Sequence, residues 1–415
     1  MTAARPPLKS LHDALDELMS FAKVLEGIES VSTFEADGRV LAQNMSSALQ
    51  VPPQDNSSMD GYAVRCADVA HAAGGVLPVS QRIAAGSSGA PLAANTVARI
   101  FTGAPIPPGA DAVVMQEDGV PEMSQDPLVT GVRFTTQPEP GQWIRRSGED
   151  VTLGAVVLSK GERLTPAALG LAASIGMEFV AVTRRPRVAL FSTGDELVMP
   201  GAVAPEHMKP GAIYNSNRFF LRALLVRLGC EVTDLGIVPD RLEATVEALK
   251  EAAQNHDLIL TSGGVSVGEE DHIKPAVQSL GSLNLWQIAI KPGKPFAYGR
   301  VQGAHFIGLP GNPVSSFVTF LVLVRPFLLS LQGVQKITPD SIAVQAHFDW
   351  PRADKRREFL RVKRNAAGGL DLYPNQSSGV LTSAVWGDGL VDNPAGQVIR
   401  AGDWVQYIAF NEVLG

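Results

Sequence analysis

The sequence predicts a multidomain protein of the α/β plus β class, and three observations support that prediction. The chain has 415 residues, which at about 150 residues per domain is enough for roughly three domains. Between residues 187 and 337, short apolar strands alternate with helices four times, a pattern typical of an open, mainly parallel α/β sheet. Residues 30–165 and 338–415 consist mostly of short alternating runs between glycine and proline turns, which indicates β-rich domains on both sides.

The first predicted helix and the β-rich segment that follows it each have local signals. Ser10 and Asp13 fit a capping box, which opens a helix with Leu11, Ala14, Leu15 and Leu18 on one face. Thr165 and Pro166 have the N-cap and N1 types of a second helix. The predicted strands between these helices are Val97–Phe101, Ala112–Met115, Val132–Thr136 and Ala155–Leu158.

The α/β segment has strands that end in glycine, proline or acidic loops. Its strands are predicted at Val188–Phe191, Val232–Ile237, Leu258–Leu260 and Phe306–Ile307. Its helices are predicted at Ser216–Leu228 (ending at Gly229), Leu242–Ala253, Asp271–Leu280 and in the apolar stretch after Pro313. In the C-terminal β segment, we expect strands at Phe359–Lys363 and Trp404–Ala409 within a small barrel or sandwich.

Composition excludes several classes of protein. Apolar residues make up 45% and charged residues 19% of the chain, which excludes wholesale disorder. The formal net charge is −7, which argues against a partner bound by neutralising nucleic-acid phosphates. The 40 glycines and 29 prolines show no collagen-like period and indicate many tight turns.

The expected compartment is the cytoplasm. Cys66 and Cys230 are the two cysteines and form no C-x-x-C, so neither a disulfide framework nor a zinc site is expected. Residues 1–8 have no apolar core of the signal-peptide type. The most apolar run, Phe317–Val324, meets Arg325 and Pro326 and is far shorter than the ~20 residues that cross a bilayer. We therefore expect a soluble protein with no membrane partner.

Three acids follow three successive strands of the predicted sheet. Glu196, Asp240 and Asp271 come at these strand ends, which lie near one another in a parallel sheet. Clustered carboxylates repel unless they are protonated or bind a metal ion, and Mg²⁺ is the natural partner beside phosphates. The alternative is structural, because Asp240 and Asp271 each stand at a predicted helix start and could be N-caps.

Two loops offer groups that bind anions. Ser262, Gly263 and Gly264 expose backbone N–H groups that could cradle an anion, or they form an ordinary turn. Lys291 and Lys294 lie in Lys-Pro-Gly-Lys-Pro, where prolines would hold the two ammonium groups for an oxyanion. A solvent-exposed turn is the alternative.

A second chemistry is suggested by Gly264–Gly268, which matches the G-x-S-x-G nucleophile elbow with Ser266 at its centre. Glu269, Glu270 and Asp271 follow at once and would oppose an oxyanion, so a serine hydrolase is the weaker hypothesis. The same run lacks the lysine of a P-loop, which we reject. Most of a basic stretch in the C-terminal segment is expected to be a solvated strand face: Arg352, Lys355, Arg356, Arg357, Arg361, Lys363 and Arg364.

Seven short sequence motifs, spread over nearly the whole chain, occur in the same order as in a known family. They are Ser58–Ala63, Thr102–Pro107, Arg145–Asp150, Ser192–Leu197, Thr261–Gly268, Lys291–Pro295 and Leu309–Pro313. This set resembles the molybdopterin molybdenumtransferases, the MoeA proteins, and the E-domain of gephyrin.

The resemblance implies an enzyme that takes adenylylated molybdopterin and molybdate, needs Mg²⁺, releases AMP and yields molybdenum cofactor. It also implies a homodimer with sites shared between subunits and contact with the molybdopterin adenylyltransferase. The implied fold has an open α/β sheet of the molybdopterin-binding type, a β insertion domain, an intertwined central region and a C-terminal β-barrel. The corresponding boundaries are 1–27 for a helical segment, 28–46 with 155–182 for the centre, 47–154 for the insertion, 183–337 for the α/β domain and 338–415 for the barrel.

The resemblance also implies roles for individual residues. Asp240 and Asp271 match acids around Mg²⁺, and Glu196 matches a further acid of that site. Lys291 and Lys294 match lysines on the molybdate side. Asp60 and Thr102 match positions contributed by the neighbouring subunit. The remaining implied substrate contacts are Arg145, Asp150, Ser262, Gly263, Gly264, Pro310, Pro313, Arg361 and Ser378.

One departure from the family pattern and two alternative functions bear on this assignment. Gln287 stands four positions before Lys291, where the family usually has a basic residue, so one positive charge is absent. A scaffold of the same fold would need an added linker or a second pterin-binding domain, which is not found in these 415 residues. A related adenylyltransferase is disfavoured by the additional β domains and by Gly-Gly-Val-Ser-Val-Gly in place of Gly-Gly-Thr-Gly.

Overall fold

The computed structural model describes residues 8–123, 130–264 and 272–414. A six-stranded sheet forms the centre of the α/β domain. Four of its strands are parallel, and two antiparallel strands extend one edge. In spatial order the strands are Glu231–Val238, Arg187–Thr193, Leu258–Ser262, Ala304–Leu309, Pro295–Val301 and Gly281–Gln287.

Helices cover both faces of this sheet, and a hydrophobic cluster lies on each side. The predicted parallel strands are confirmed, and so is the end of one helix, because Gly229 adopts a φ of +80° just after Asn217–Arg227. The helix predicted from Asp271 is described from Ile273 onward, and Asp271 itself lies outside the described residues. The helices are Asn217–Arg227, Leu242–Asn255, Ile273–Leu280 and a continuous run from Pro313 to Leu331.

The long apolar helix corrects one expectation. Helical structure runs through Arg325 and Pro326, with a π-helical turn at Phe320–Val324 between Pro313–Thr319 and Arg325–Leu331. Proline lacks the N–H of a regular helical turn, and the altered hydrogen-bond register just before it accommodates that loss. By length and composition alone this helix could cross a membrane, but most of it is buried inside the protein, so it is a core helix.

The antiparallel hairpin Gly281–Gln287 with Pro295–Val301 was not predicted. Its aromatic side chains form a stack on one face, with Trp286 and Phe296 at 5.6 Å between ring centroids and Phe21 on Tyr298 at 4.6 Å. The first helix, Leu11–Phe21, thereby packs on the α/β domain. Its capping by Ser10 is confirmed, because Ser10 Oγ accepts from the Asp13 N–H at 3.0 Å.

Two distant segments form the central region. Ile28–Ser32 pairs antiparallel with Phe179–Thr183, and Met45–Ser46 pairs with Val156–Leu158. The helix Pro166–Ser174 is capped by Thr165, as predicted, and packs on these strands. Short helical segments also lie in all three parts of the chain: Thr33–Glu35 in the central region, Gln116–Asp118 between two strands of the insertion, and Pro205–His207 in the α/β domain.

The chain between these segments folds into a second six-stranded sheet. Its spatial order is Ala112–Met115, Gly61–Val64, Val97–Ile100, Leu77–Ile83, Thr130–Phe134 and Gly119–Met123. The helix Cys66–Ala72, which was not predicted, covers part of it. Two-stranded pairs join Asn56–Ser57 to Ile144–Arg145, and Leu197–Val198 to Ile213–Tyr214 in the α/β domain.

The C-terminal segment is a curled β-sheet whose ends meet. The pairing between Ala346 and Leu370 links the two ends around an apolar interior. The spatial order is Ile290–Lys291, Arg357–Arg364, Gly389–Asn393, Trp404–Ala409 and Ile342–Gln345, with Leu370–Leu372 beside Arg357–Arg364 and the helices Thr382–Trp386 and Phe410–Val413 outside.

The basic stretch is a solvated face only in part. Arg357 pairs with Asp392 at 2.5 Å, and Arg356 pairs with Asp354 at 2.8 Å. Arg361 is the exception in this stretch, because it is fully buried, whereas Arg352, Lys355, Lys363 and Arg364 are exposed as expected.

Asp257 joins the central region to the α/β sheet at the edge where the parallel strands begin. Its carboxylate accepts two hydrogen bonds from the Arg184 guanidinium, at 2.7 and 2.8 Å, and one from the Arg187 N–H at 2.8 Å. Burial by itself would raise the pKa of this carboxyl, but these hydrogen bonds outweigh it and hold the pKa below its usual value.

We predict that Asp257→Asn lowers the free energy of unfolding by about 3 kcal/mol at pH 7, because it leaves Arg184 without its counter-charge. The stabilisation from a lowered carboxyl pKa is present above the unfolded value of about 3.9 and is lost as pH falls toward the folded value. Urea unfolding from pH 7 down to pH 3 should therefore show the difference between the two proteins shrinking below about pH 4. The exposed Asp349→Asn variant, which keeps its acceptor for the Ala401 N–H, should show no such convergence. A constant difference across this range would contradict the prediction.

Candidate functional site

A cleft of about 760 Å³ opens at the carboxyl edge of the parallel strands. It is lined by the loops that follow four strands, where open α/β sheets place their ligands. The described lining residues include Thr193, Glu196, Asp240, Ser262, Gly263, Gly264, Pro310 and Pro313. Seven of the predicted site residues therefore lie in one cleft.

Asn217 ties three of these loops together. Its Nδ2 donates to Ser262 Oγ and to the Gly311 carbonyl, both at 2.7 Å. The Gly263 N–H donates to the Leu309 carbonyl at 3.0 Å. Asn217 was not predicted as a site residue, although its position in the Asn-Ser-Asn run at a predicted helix start was an available signal.

The glycine turn after Leu258–Ser262 cannot hold side chains. Gly263 and Gly264 have φ values of +97° and +65°, in the region that favours glycine. A Cβ would lie 2.9 Å from the Thr193 carbonyl oxygen at Gly263, and 2.6 Å from the Ile273 side chain at Gly264. This turn thus brings bare backbone to the cleft wall, as an anion cradle requires.

Glu196 and Asp240 are the two carboxylates in the described lining. The Glu196 carboxylate folds over Gly194, where a Cβ would lie 2.5 Å from Oε2. Asp240 is not an N-cap, because the helix Leu242–Asn255 has Arg241 at that position and no side-chain cap. The capping alternative for Asp240 is therefore wrong, and the same question for Asp271 lies outside the described residues.

The charged side chains in the described lining of the cleft are all acidic. Its described lining contains two acids and no lysine, arginine or histidine. The remaining polar groups are neutral, and two helices begin at the cleft, one at Asn217 and one at Pro313. The N–H groups of helix starts favour anions without adding a formal charge. Carboxylates beside such groups suit a hard cation that is bound together with an anionic ligand.

Comparisons with known proteins agree along the whole chain. Residues 9–176 match a family model described as MoeA N-terminal region (domain I and II), residues 189–330 match one described as probable molybdopterin binding domain, and residues 343–410 match one described as MoeA C-terminal region (domain IV). The molybdopterin molybdenumtransferase of Haemophilus influenzae is 44% identical over 336 residues, 80% of each chain. The chain belongs to the molybdopterin molybdenumtransferase family.

Further relatives extend this result. Molybdopterin molybdenumtransferase 2 of Mycobacterium tuberculosis is 37% identical, over 91% of this chain and 94% of that protein. A crystal structure of a molybdopterin biosynthesis MoeA protein from Pyrococcus horikoshii OT3 superposes with a TM-score of 0.83 at 28% identity, covering 97% of this chain and 100% of the other. The predicted fold class is confirmed. As a member of the molybdopterin molybdenumtransferase family, the protein is an enzyme of molybdenum cofactor biosynthesis. Ser266, the nucleophile of the hydrolase hypothesis, lies outside the described residues.

The two lysines of the Lys-Pro-Gly-Lys-Pro loop have different surroundings. Lys291 Nζ pairs with Glu358 at 2.9 Å and lies 3.3 Å from Asp354, both in the C-terminal segment. Glu358 is buried and also accepts from Trp350 Nε1 at 2.7 Å. No acid among the described residues pairs with Lys294, which directly precedes the cleft-lining Pro295.

The loop itself is not a solvent-exposed turn. Gly293 packs against the long apolar helix, where a Cβ would lie 2.3 Å from Thr319 Oγ1. Gln287 ends the edge strand opposite Pro295, and its carbonyl accepts from the Lys9 N–H at 2.8 Å. Gln287 does not contribute to the described cleft lining.

Arg361 and Ser378 contact the cleft only indirectly. Arg361 is 1% exposed and donates to Ser383 Oγ at 3.1 Å and to the carbonyls of Phe359 and Ser377. Burial lowers the pKa of its guanidinium to about 10. The Ser378 carbonyl accepts from the Val314 N–H at 2.9 Å, and the next residue, Gly379, lines the cleft.

Four predicted site residues lie in the insertion domain and not in the described lining of the cleft. Asp60 Oδ1 accepts from the Thr102 N–H at 2.8 Å and from Thr102 Oγ1 at 2.7 Å. These two hydrogen bonds lower the pKa of Asp60. The other two, Arg145 and Asp150, lie on the same domain at Ile144–Arg145 and after it.

We predict that Lys291 and Glu358 act as one unit. Lys291→Met leaves a buried carboxylate unpaired and should lower the free energy of unfolding by about 2 to 3 kcal/mol. Adding Glu358→Gln should recover most of this loss, because the amide no longer needs a counter-charge. Urea unfolding of the two single variants and the double variant gives the coupling energy. Additive effects would contradict the pairing.

We also predict that Gly194→Ala lowers the rate of molybdenum cofactor formation by about 100-fold, because the new Cβ displaces the Glu196 carboxylate. Gly201→Ala is the matched control, since Gly201 also has a positive φ, of +85°, but no atom lies within 4 Å of the place that its Cβ would take. The two variants should lose similar stability in thermal unfolding. Equal activity of both variants would exclude the role of this contact.

Proposed function

We propose that this enzyme transfers molybdenum from molybdate to adenylylated molybdopterin with the help of Mg²⁺, releasing AMP and forming molybdenum cofactor. The observation that carries the proposal is the composition of the cleft, in which two carboxylates stand among neutral hydrogen-bond donors. A phosphoanhydride needs neutralised charge in order to be cleaved. Carboxylates repel such a ligand unless a metal cation lies between them.

The donor set fits Mg²⁺. Asp240 offers a hard oxygen ligand of the kind that this ion takes one or two at a time, together with water and substrate phosphates, and Glu196 is a further acid of the same cleft. We propose Asp240 as a ligand, with Asp271, which lies outside the described residues, as a second. When bound, the ion would act as a Lewis acid on the phosphate oxygens.

The chain's own groups then orient the substrate. Ser262, Gly263 and Gly264 line the position where a pyrophosphate would lie. The segment Pro310–Pro313 opens the long helix, whose dipole has its positive end at the same wall. Together these groups would hold the anhydride in one orientation against the acids without adding formal charge.

Molybdate is proposed to bind on the side of the Lys-Pro-Gly-Lys-Pro loop. Lys294 has no acid partner among the described residues and adjoins the cleft through Pro295. We propose that Lys291 also contacts molybdate. Its side chain is 38% exposed, so part of the ammonium group is accessible even though it pairs with Glu358. Arg361 would act by positioning the Ser377–Gly379 loop rather than by touching molybdate.

A homodimer would complete the site. Asp60, Thr102, Arg145 and Asp150 do not line the described cleft of their own chain, so we propose that they face the cleft of a second copy. The central region exposes large apolar side chains that a second copy could cover, with Phe34 at 90% and Ile28 at 66%. A cytoplasmic location and transfer of substrate from the molybdopterin adenylyltransferase are parts of the same proposal.

We predict that Asp240→Asn abolishes AMP release from adenylylated molybdopterin while the substrate still binds. The wild-type enzyme should release AMP only when molybdate and Mg²⁺ are both present. AMP is quantified by chromatography and substrate binding by equilibrium dialysis, with the exposed Asp349→Asn variant as the control. Unchanged AMP release in the Asp240→Asn variant would reject the role of this carboxylate. Release in the wild type without molybdate would reject the coupling.

A further inference from the structure

Asn215 holds an unused hydrogen-bond donor at the wall of the cleft. Its side chain is 2% exposed and lines the cleft directly before the helix Asn217–Arg227. Its Oδ1 accepts from the Arg218 N–H at 3.3 Å, which identifies the oxygen end of the amide and leaves Nδ2 as the other end. Within the described part of the chain, Nδ2 has no hydrogen-bond partner.

A buried donor of this kind is unusual. More than nine tenths of buried polar groups have a partner, and a donor without one is destabilising because its lost hydration is not replaced. Asn217, two residues away, shows the ordinary case, since its Nδ2 donates to both Ser262 Oγ and the Gly311 carbonyl. The two asparagines therefore differ: Asn217 fixes the wall of the cleft, whereas the Asn215 donor is buried with no partner among the described residues.

The acceptor that Nδ2 can take is defined by its surroundings. The described lining has no basic side chain, so an anion in the cleft must be met by neutral donors. Asn215 lies two residues before the first residue of the helix Asn217–Arg227, near the positive end of the helix dipole, which favours negative charge. A phosphate oxygen is the acceptor that satisfies both the helix start and the amide.

We propose that Asn215 is a substrate-binding residue whose Nδ2 donates to a phosphate oxygen of the nucleotide part of the ligand. This inference rests on the proposed function, which places a phosphoanhydride in the cleft. Asn215 would distinguish phosphate esters from uncharged nucleosides without adding positive charge beside Glu196 and Asp240.

The test is direct binding of AMP and of adenosine, measured by calorimetry with the full-length protein at one fixed Mg²⁺ concentration. Asn215→Asp keeps an oxygen for the Arg218 N–H but replaces the donor by a carboxylate. It should weaken AMP binding by at least about 10-fold, because it removes a hydrogen bond to a charged acceptor and also places a negative charge beside the phosphate. Adenosine binding should change little, because adenosine has no phosphate.

Two further variants make the test decisive. Asn44→Asp is the matched control, because Asn44 Oδ1 accepts from the Lys160 N–H at 2.8 Å on an exposed part of the central region, so this variant has the same charge change and keeps its acceptor. It should bind AMP like the wild type. Asn215→Ala removes the donor without adding a charge, so it should lower the AMP-to-adenosine affinity ratio by about 10-fold, and it decides the test alone if Asn215→Asp does not fold, as judged by thermal unfolding.

The outcomes separate the two proposals. If wild-type protein prefers AMP over adenosine and the Asn215 variants lose this preference, the inference is supported. If the wild-type preference persists in the Asn215 variants, Asn215 has no such role, whereas the proposed function is unaffected. If the wild type shows no preference for AMP, both the inference and the proposed AMP-releasing reaction are overturned.

Discussion

Parallel pairing of Leu258–Ser262 with its two neighbours is the constraint on which the site depends. In this register Ser192 stands opposite Ser262, and Ser262 stands opposite Leu309. The three strands thus end at the same level, and their loops begin side by side. A shift of one residue would turn Ser262 and its neighbours to opposite faces of the sheet. The hydrogen bonds of Asn217 to Ser262 and Gly311 can form only in the observed register.

Acidic side chains at the two ends of the parallel strands have different surroundings. Where the parallel strands begin, Asp257 is fully engaged by Arg184 and the Arg187 backbone. Where they end, Glu196 and Asp240 face a cleft whose described lining offers no cation. Asp257 thus has a stabilising role where the strands begin, whereas the acids at the strand ends, which form no ion pair with a described residue, are suited to binding a ligand.

Local signals predicted much of the fold, because the interactions they report are local. Ser10, Thr165 and Gly229 act within a few residues of their own position, and the structure confirms all three. The hairpin Gly281–Gln287 with Pro295–Val301 escaped prediction because its aromatic residues are satisfied by Phe21, which comes from the far N-terminal helix. Pro326 was misleading because a π-helical turn before it removes the usual conflict.

The cleft acids were predictable from strand ends, but the pairing of Lys291 with Glu358 joins residues 67 positions apart and leaves no local pattern. Asn215 stands in the same Asn-Ser-Asn run as Asn217, but the sequence does not show that its amide donor is buried without a partner, because burial exists only in the folded chain.

The arrangement of charges has a consequence for what the cleft can bind. A site lined with arginines or lysines attracts any phosphate, whether or not a metal ion accompanies it. Here Lys291 of the neighbouring loop is held by Glu358, and the groups of the described cleft lining are acidic or neutral. A free anion therefore meets the repulsion of Glu196 and Asp240, whereas an anion that arrives with a divalent cation meets two ligands for the metal and neutral donors for its oxygens. On the proposed function, the acidic cleft would thereby discriminate against simple phosphate in favour of a metal-bound phosphoanhydride. Its net negative lining would then serve selectivity, and would not conflict with a strongly anionic substrate.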